Sequence, residues 1–523
     1  MGAAIESQYA LAYARKLGAS YADLRVTRRR AERAELTDGV SPGLSGSNTA
    51  GLGIRVLVSG ARGFSSIQLD GTPGRASLRE LVREAVELAK VSAKFRASRI
   101  RLAPLRGFSP GKVDCRSSAT TPYHGLAPRE RMRVLREWDN ALHGRMVAQR
   151  TVAIETDQCD YYFAQVERGE FREIHQNRRG CELDISVTAI GHGEVQTRSR
   201  LFAGTVGYSF PLTEAVEKEC RRLRVEATRL LRAPECRENR CDLIILPDQF
   251  ALHAHELVHG MEGDRIGDWK DNRIGEWTEG LDYEATYMGG AIMSDPRFLA
   301  GQGEFRLANK CVTLLADATL PGGYGTFNFD DDGVPAANFP LLEQGVFQNF
   351  LHSRETAGML ARATKNHELR RSPGIGCSRA SDYSRMPLVR MTNTVLVPGE
   401  ATLKALVAGV DRGLIIATPY SWSMYPFRRG FIFGCEIGWL IKGGKIVGMV
   451  RNPAYRGGTV KFWSSIRAVG CESEIHNQPN CGKGQPGQAI GTGHQTPPVL
   501  VEGVQVFSRR KFRGGKKGGK KCS

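Results

Sequence analysis

Two histidines four residues apart constrain this chain more than any other feature of its sequence. His255 and His259 stand in the stretch HAHELVHGMEGDR, with Glu256 between them. The short apolar run CDLIILP comes just before, so the pattern predicts a strand that leads directly into a helix beginning near Asp248, a favourable N-cap residue. Four residues make about one helical turn, and both imidazoles therefore project from the same side of that helix.

This spacing predicts a metal site. Two imidazoles on one flank of a helix can bind one ion, and Glu256 projects from the same turn without meeting the ion, as the general base of a metal-dependent hydrolase must. The helix is also predicted to be buried, because one stripe of it is apolar: Phe250, Ala251, Ala254, Leu257, Val258 and Met261.

A catalytic site of this kind needs a third protein ligand. The metzincin continuation of the motif fails, because Glu262 and Arg265 stand where glycine and histidine are required. A thermolysin-like arrangement takes a glutamate further along the chain, and three stand at suitable spacing: Glu276, Glu279 and Glu284. Spacing alone leaves all three open.

Length and composition bound the class of protein. The chain has 523 residues, 41% hydrophobic and 24% charged, which is enough for two to four folded domains. It contains no apolar run of about 18 residues and it starts with an amphipathic pattern, so no membrane association is expected and a cytoplasmic location is predicted. The twelve cysteines form no CxxC pair, which favours reduced thiols over a disulfide framework.

The order of patterns predicts an α+β fold with three parts and a tail. Residues 1–105 are predicted to form an N-terminal α/β domain with YADLRVTRRRAERAEL as an exposed strand, a hairpin bent at Gly60, and RASLRELVREAVELAKVSAKF as a helix. A central α/β segment over residues 123–235 follows. Residues 241–508 are predicted to form a β-rich, barrel-like domain that holds the metal-binding helix, and residues 509–523 a basic disordered tail.

The net charge of +18 raises a second hypothesis, a nucleic-acid-associated binding protein with a vestigial metal site. However, the tail carries eight basic residues between Arg509 and Lys521 and no acid, so the rest of the chain has a net charge of only +10. Only Phe507 and Phe512 stand near those charges to stack on bases. Nucleic acid is therefore not the expected partner.

Several blocks of the sequence resemble one family, and in the same order. They are HELVHGMEGDR, CVTLLADATLPGGYGTFNFDDDGVPAANFPLLEQGVFQNFLHSRETAGML, MPLVRMTNTVLVPGE and NCGKGQPGQAIGTGHQTPPVLVEGVQV, and they resemble the TldD/PmbA metallopeptidases, in particular the metal-bearing TldD branch. GASYADLRVTRRR and GLGIRVLVSGARGFSSI resemble the first domain of that family. The resemblance covers nearly the whole chain except the tail.

The resemblance implies a site, an activity and a partner. In that family a cysteine near the C-terminus joins the two motif histidines, which carries over to Cys481 as the third zinc ligand beside His255 and His259, with Glu256 as the catalytic base. The implied activity is a zinc-dependent metallopeptidase that hydrolyses amide bonds in unfolded peptides or modified-peptide precursors. The implied assembly is a homodimer, or a heterodimer with a metal-less PmbA-type paralogue.

The chain departs from the family in two places. The family motif is HExxxH with a glycine before the second histidine, whereas Val258 directly precedes His259 here. The segment SWSMYPFRRGFIFGCEIGW replaces a glycine-rich segment, which implies a different substrate groove.

Some residues admit two interpretations at this point. His494 is either a support for Cys481 or a loop histidine. Three further residues either line the substrate groove or have a structural role in their strand: Arg390, Met391 and Asn393. The run Asp330–Asp332 lacks EF-hand spacing and predicts a solvated turn. Three cysteines are expected to be buried small residues: Cys311, Cys377 and Cys435.

Overall fold

The structure is a computed structural model, and it describes residues 6–95, 99–105, 110–116, 127–167, 169–205, 214–265, 303–363, 376–425, 428 and 430–510. In this part of the chain no helix is both long enough and apolar enough to cross a membrane.

A seven-stranded sheet forms the N-terminal half. Its strands are β1 (Tyr21–Thr37), β2 (Leu44–Val58), β3 (Ala61–Gln68), β4 (Gly111–Asp114), β5 (Val147–Glu167), β6 (Glu170–Gly191) and β7 (Glu194–Gly204). Their order is β3-β2-β1-β5-β6, and both β4 and β7 pair with the outer edge of β6. The pairs β1–β2 and β1–β5 are antiparallel, with Leu24 opposite Ile54 on one side and Ala164 on the other. The hairpin between β2 and β3 turns at Gly60, whose φ of +78° favours glycine, so the predicted hairpin is confirmed.

Among the described residues, four helices cover this sheet: α1 (Ser7–Lys16), α2 (Arg75–Phe95), α3 (Pro128–Leu142) and α4 (Glu214–Leu230). Helix α2 has the bounds that its apolar spacing predicts. It packs with α1 on the β1–β3 half of the sheet, where Leu24, Ile54 and Val82 are fully buried. Helices α3 and α4 pack on the other half, around Leu135 and Leu183. Each such apolar side chain stabilises the fold by about 1.5–3 kcal/mol through its burial.

The C-terminal half is built mainly from strands. A six-stranded sheet in the order β11-β10-β9-β14-β21-β20 contains β9 (Leu314–Asp317), β10 (Asn338–Glu343), β11 (Val346–Phe347), β14 (Asn393–Leu396), β20 (Glu474–Lys483) and β21 (Gln488–Thr496). A short pair, β12 (Ser378–Arg379) and β13 (Leu388–Val389), lies apart from it.

A second seven-stranded sheet closes on itself. Its strands are β8 (Asn239–Ile245), β15 (Arg412–Met424), β16 (Gly430–Lys442), β17 (Lys445–Arg451), β18 (Pro453–Gly458), β19 (Ile466–Val469) and β22 (Val499–Ser508). The order β15-β8-β22-β18-β16 forms a ring because β15 also pairs with β16. The barrel-like prediction for this region is therefore confirmed, as is the α+β class with a β-rich C-terminal part.

In the described part of the C-terminal half the helices are α5 (Pro247–His259), α6 (Ala357–Ala363), α7 (Leu403–Ala408) and α8 (Thr459–Ser464), with a 3-10 turn at Gly263–Arg265. Helix α5 carries the histidine motif. It lies between strand β15 of the ring and strands β14, β20 and β21 of the six-stranded sheet. This placement brings the motif next to the strands that carry Cys481 and His494.

Buried ion pairs join the two halves, and they correct two predictions. Arg55 Nη2 lies 2.6 Å from Asp23 Oδ2 and 2.7 Å from Asp332 Oδ1, and Arg25 Nη1 lies 3.6 Å from Asp331 Oδ2. Strand β1 was predicted to be exposed, but it is central in its sheet, with Asp23 and Arg25 buried. The predicted solvated turn at Asp330–Asp332 is also wrong, because Asp331 and Asp332 pair with arginines of the N-terminal sheet. The buried Asp330 carboxylate accepts backbone N–H groups instead.

The division of the chain into domains stays a prediction. Strands from its first two segments, 1–105 and 123–235, belong to one sheet. Within the predicted tail, residues 511–523 lie outside the described residues.

Candidate metal centre

Helix α5 is fixed by the elements around it. Strand β8 ends at Ile245, and Pro247 occupies the first turn of the helix, where its missing N–H costs no hydrogen bond. The helix begins at Pro247, so the predicted start near Asp248 is confirmed, but the N-cap is Leu246 rather than Asp248. Asp248 lies in the first turn and accepts hydrogen bonds from the Gln249 N–H (2.8 Å) and the Thr418 hydroxyl (2.8 Å). Its negative charge interacts favourably with the positive end of the helix dipole.

The apolar stripe of α5 is buried as predicted. Phe250, Ala254, Leu257 and Val258 belong to one core cluster with residues of both C-terminal sheets. His253 also lies in this core, where its ring stacks on Phe462 at 4.1 Å between centroids and its Nε2 lies 2.7 Å from the Tyr455 hydroxyl. The helix therefore has one orientation, with His255 and His259 towards β20 and β21.

The structure brings His255, His259 and Cys481 together. One ligand atom from each of these residues lies within 4.8 Å of the other two. His259 Nε2 is 3.2 Å from Cys481 Sγ, and the two imidazole centroids are 4.7 Å apart. A tetrahedral zinc site with typical bond lengths requires ligand atoms roughly 3.5 Å apart, so small side-chain rotations suffice to close this group on one ion.

Cys481 comes from a bulge in strand β20. The register of β20 against β21 shifts between Gln478 and Cys481, and Cys481 pairs with Ile490. Its side chain is 2% exposed. Arg390, itself fully buried, donates hydrogen bonds to the backbone carbonyls of Cys481 and Gln488. Arg390 thus holds the strand that carries the thiol.

The hydrogen bonds of His259 orient its ring. Glu262 Oε2 lies 3.1 Å from His259 Nδ1, and a carboxylate accepts, so Nδ1 carries a proton and Nε2 is the ring nitrogen that faces Cys481. Lys483 Nζ then holds Glu262 Oε2 (3.1 Å), both Asp264 oxygens (2.7 and 2.8 Å) and the Val389 carbonyl (2.7 Å). The orientation of His259 is therefore fixed through two charged side chains.

The pKa values of Cys481 and His255 favour metal binding. Burial raises the pKa of the Cys481 thiol, but the contact with His259 and the charge of Arg390 outweigh it and bring that pKa to about 7. Burial, together with the Arg428 guanidinium, lowers the pKa of His255 to about 3. A neutral imidazole and a readily formed thiolate are the states that bind zinc, and two nitrogens with one sulfur leave a fourth position free.

Glu256 follows His255 on helix α5, and it is bound to an arginine that the sequence did not predict. Its side chain is buried, and it forms an ion pair with Arg428, whose Nη1 also donates to the Glu256 carbonyl oxygen at 3.1 Å. Burial lowers the pKa of Arg428 to about 10. Arg428 belongs to the SWSMYPFRRG segment that departs from the resembled family, so that departure was the one signal pointing to it.

His494 contacts His255 rather than Cys481. Its Nε2 lies 2.9 Å from His255 Nδ1, and its ring centroid lies 4.9 Å from that of His255. Burial and the neighbouring His255 hold the pKa of His494 well below its usual value. Of the two roles predicted for His494, a support within the site is the one that this geometry favours, although it supports a different ligand.

The other candidate residues either have structural contacts or lie outside the described residues. Asn393 donates to the Asp317 carbonyl (2.7 Å) and accepts from the Gly325 N–H (2.7 Å), which ties a loop to β14. Cys377 and Cys435 are buried as expected, whereas Cys311 is exposed. Within the described residues the cysteines are free thiols. The alternative ligands Glu276, Glu279 and Glu284 lie outside the described residues.

Two family models match the sequence. Residues 285–508 match the PmbA/TldA metallopeptidase C-terminal domain, and residues 22–89 match PmbA/TldA metallopeptidase domain 1. Together the matches cover more than half of the chain.

Individual proteins are similar over different lengths. A metalloprotease of Methanocaldococcus jannaschii is 22% identical over 484 residues, which are 90% of this chain and 94% of that protein. A zinc metalloprotease TldD homolog of Saccharolobus solfataricus is 24% identical over 178 residues, 34% of this chain and 37% of that protein. The crystal structure of TldE from Thermococcus kodakarensis superimposes with a TM-score of 0.67 at 16% identity, over 95% of this chain and 99% of that one. This last likeness establishes a shared fold.

Proposed function

The chain belongs to the TldD/PmbA family of metallopeptidases, and from that premise we propose that it is a zinc-dependent peptidase that hydrolyses amide bonds in unfolded peptides or modified-peptide precursors. The observation that carries the proposal is the convergence of His255, His259 and Cys481, with Glu256 next to His255 in the chain. The name of one relative, a zinc metalloprotease, supports the choice of metal.

Each residue has a defined part in this proposal. His255 Nε2, His259 Nε2 and Cys481 Sγ would hold the ion. A zinc ion bound there supplies a Lewis acid that polarises the scissile carbonyl and makes water more acidic. Glu256 would accept the proton of the attacking water and return it to the leaving amine, since it follows His255 on helix α5 and is not one of the three proposed ligands.

In this proposal the Glu256 carboxylate binds both Arg428 and the attacking water. The Arg428 guanidinium donates to the Glu256 carboxylate and to the Glu256 backbone carbonyl, and these two contacts hold the Glu256 side chain in place. A carboxylate has several lone pairs, so an oxygen remains available to a water molecule.

We also propose that the chain works as a dimer, with itself or with a metal-less paralogue, and that the assembly admits extended peptides. The support is the family resemblance, and an extended peptide can pair with a sheet edge through its main chain with little sequence preference. The nucleic-acid alternative is less well supported, because the eight basic residues that suggest it cluster in the tail, whereas the three proposed metal ligands lie close together.

The test is the replacement Glu256→Gln in the full-length, zinc-loaded protein, assayed on a dye-labelled unfolded protein. Losing a general base should slow hydrolysis by about 10²–10⁴-fold, while the zinc content measured by elemental analysis stays at the wild-type level. Glu502→Gln is a matched control, since Glu502 is half-exposed and pairs with Arg467 away from the site. Full activity of the Glu256→Gln protein with its metal in place would show that the mechanism is wrong.

A further inference from the structure

We propose that His494 is a positioning residue that fixes His255 in the tautomer whose Nε2 faces the metal. This inference rests on the proposed metal site. His494 lies on β21, 239 positions from His255 in the chain, and it is 2% exposed.

The direction of the hydrogen bonds follows from one carbonyl group. His494 Nδ1 lies 3.2 Å from the backbone oxygen of His476, and a carbonyl only accepts, so the proton of neutral His494 is on Nδ1. Its Nε2 is then an acceptor, and the group 2.9 Å away, His255 Nδ1, must donate to it. With its proton on Nδ1, His255 has a lone pair on Nε2, the nitrogen that remains for an ion.

Strand β20 orients both His255 and His259. His476 lies opposite His494 in the β20–β21 pairing, so β20 acts on His255 through the His476 carbonyl and His494. The same strand supplies Cys481 directly, and it acts on His259 through Lys483 and Glu262. Strand β20 therefore positions all three ligands. This role explains why a histidine, His494, occupies a buried place that an apolar residue could also fill.

The two histidine supports differ in charge. His259 donates to the carboxylate of Glu262, whereas His255 donates to a neutral imidazole. Ligand histidines usually donate to a carboxylate, a backbone carbonyl or water, and such partners fix the ring and raise its basicity. His494 fixes the ring without adding a negative charge, so it leaves a bound ion more electrophilic than a second carboxylate would.

Three substitutions separate hydrogen bonding from packing. His494→Gln keeps an acceptor near the position of Nε2, His494→Asn reaches only the Nδ1 position and the His476 carbonyl, and His494→Leu removes both. Each variant is made in the full-length chain. Zinc affinity is measured by competition with a chromophoric chelator, and the cobalt-substituted forms are compared by absorption.

The expected result is a loss of about 10–100-fold in zinc affinity for the Asn and Leu variants, with the Gln variant within about threefold of wild type. In the metal-free protein, ¹⁵N-histidine NMR should show the Nδ1–H tautomer of His255 in wild type and the Gln variant, and a mixture of tautomers in the Asn variant. The NMR comparison keeps the test valid if the Leu variant fails to fold.

Two results would overturn the inference. One is wild-type affinity and an unchanged cobalt spectrum in the Asn and Leu variants, and the other is an equal loss in all three variants, which would indicate packing alone. If wild type itself binds no zinc while its His255 tautomer depends on residue 494 as described, the proposed metal site fails and the orienting contact stands.

Discussion

Arg55→Met should destabilise the junction between the two halves of the molecule. The Arg55 side chain is 5% exposed and pairs with Asp23 and Asp332, whose side chains are 0% and 2% exposed. The methionine fills a similar volume but leaves two buried carboxylates without their shared cation. Breaking a buried pair in this way costs about 3–5 kcal/mol. The matched control is Arg62→Met on the adjacent strand, where the pair with Glu355 is one-quarter exposed and worth about 1 kcal/mol or less.

The pH dependence of this effect has a definite sign. Burial raises the pKa of Asp332, but Arg55 and Arg354 outweigh it and hold that pKa below its ordinary value. In wild type the carboxylate therefore stabilises the fold above its unfolded pKa, and this contribution is lost only as the pH falls through the lower folded value. Without Arg55 the folded pKa rises above the unfolded one. The cost is then greatest at neutral pH and shrinks as acid neutralises the group.

Urea unfolding of the full-length protein at about pH 7.5 and pH 5 measures both effects, provided that the slope m is unchanged. The triple variant Arg55→Met, Asp23→Asn, Asp332→Asn should regain most of the loss, because a neutral buried set needs no cation. If the single variant unfolds within about 1 kcal/mol of wild type at both pH values, the carboxylates are not buried as described and the reasoning fails.

Three further outcomes are expected. Arg390→Met should lower the thermal midpoint by the equivalent of about 1–3 kcal/mol, because the buried carbonyls of Cys481 and Gln488 lose a charged donor; an unchanged midpoint would contradict this. Deleting residues 511–523 should leave hydrolysis unchanged and weaken salt-dependent binding to DNA; a loss of hydrolysis would show that the tail is more than an accessory. Light scattering of the purified chain, alone or with a paralogue, should report a dimer, and an active monomer that digests folded proteins would rule out the enclosed assembly.

The sequence predicted local features well, because local patterns determine them. The 3.6-residue spacing identified helices α2 and α5, and the four-residue interval of His255 and His259 placed both imidazoles on one side of α5. Cys481 lies 222 positions beyond His259, and no spacing rule reaches that far. It entered the predicted ligand set through the family resemblance, and the structure places it against His259.

The wrong or missing predictions share a cause, which is pairing between residues that are distant in the sequence. Arg25 was predicted to lie on an exposed strand, and Asp331 and Asp332 were predicted to form a solvated turn, because each segment is hydrophilic when considered alone. Each becomes a buried group only when the other is present. His494 with His255 and Arg428 with Glu256 follow the same rule, since a histidine or an arginine in a distant segment carries no local sign of its partner.

The ligand set itself is tested most directly by the absorption spectrum of the cobalt-substituted protein. A cysteine binds as a thiolate and gives a sulfur-to-metal charge-transfer band, which a site of nitrogen and oxygen ligands lacks. The spectrum is recorded for wild type, Cys481→Ser and Glu276→Gln, with the bound metal counted in each. We predict the band in wild type and in Glu276→Gln, and its loss in Cys481→Ser. If the band never appears, and Glu276→Gln empties the site while Cys481→Ser does not, the third ligand is the glutamate and the proposed centre is wrong.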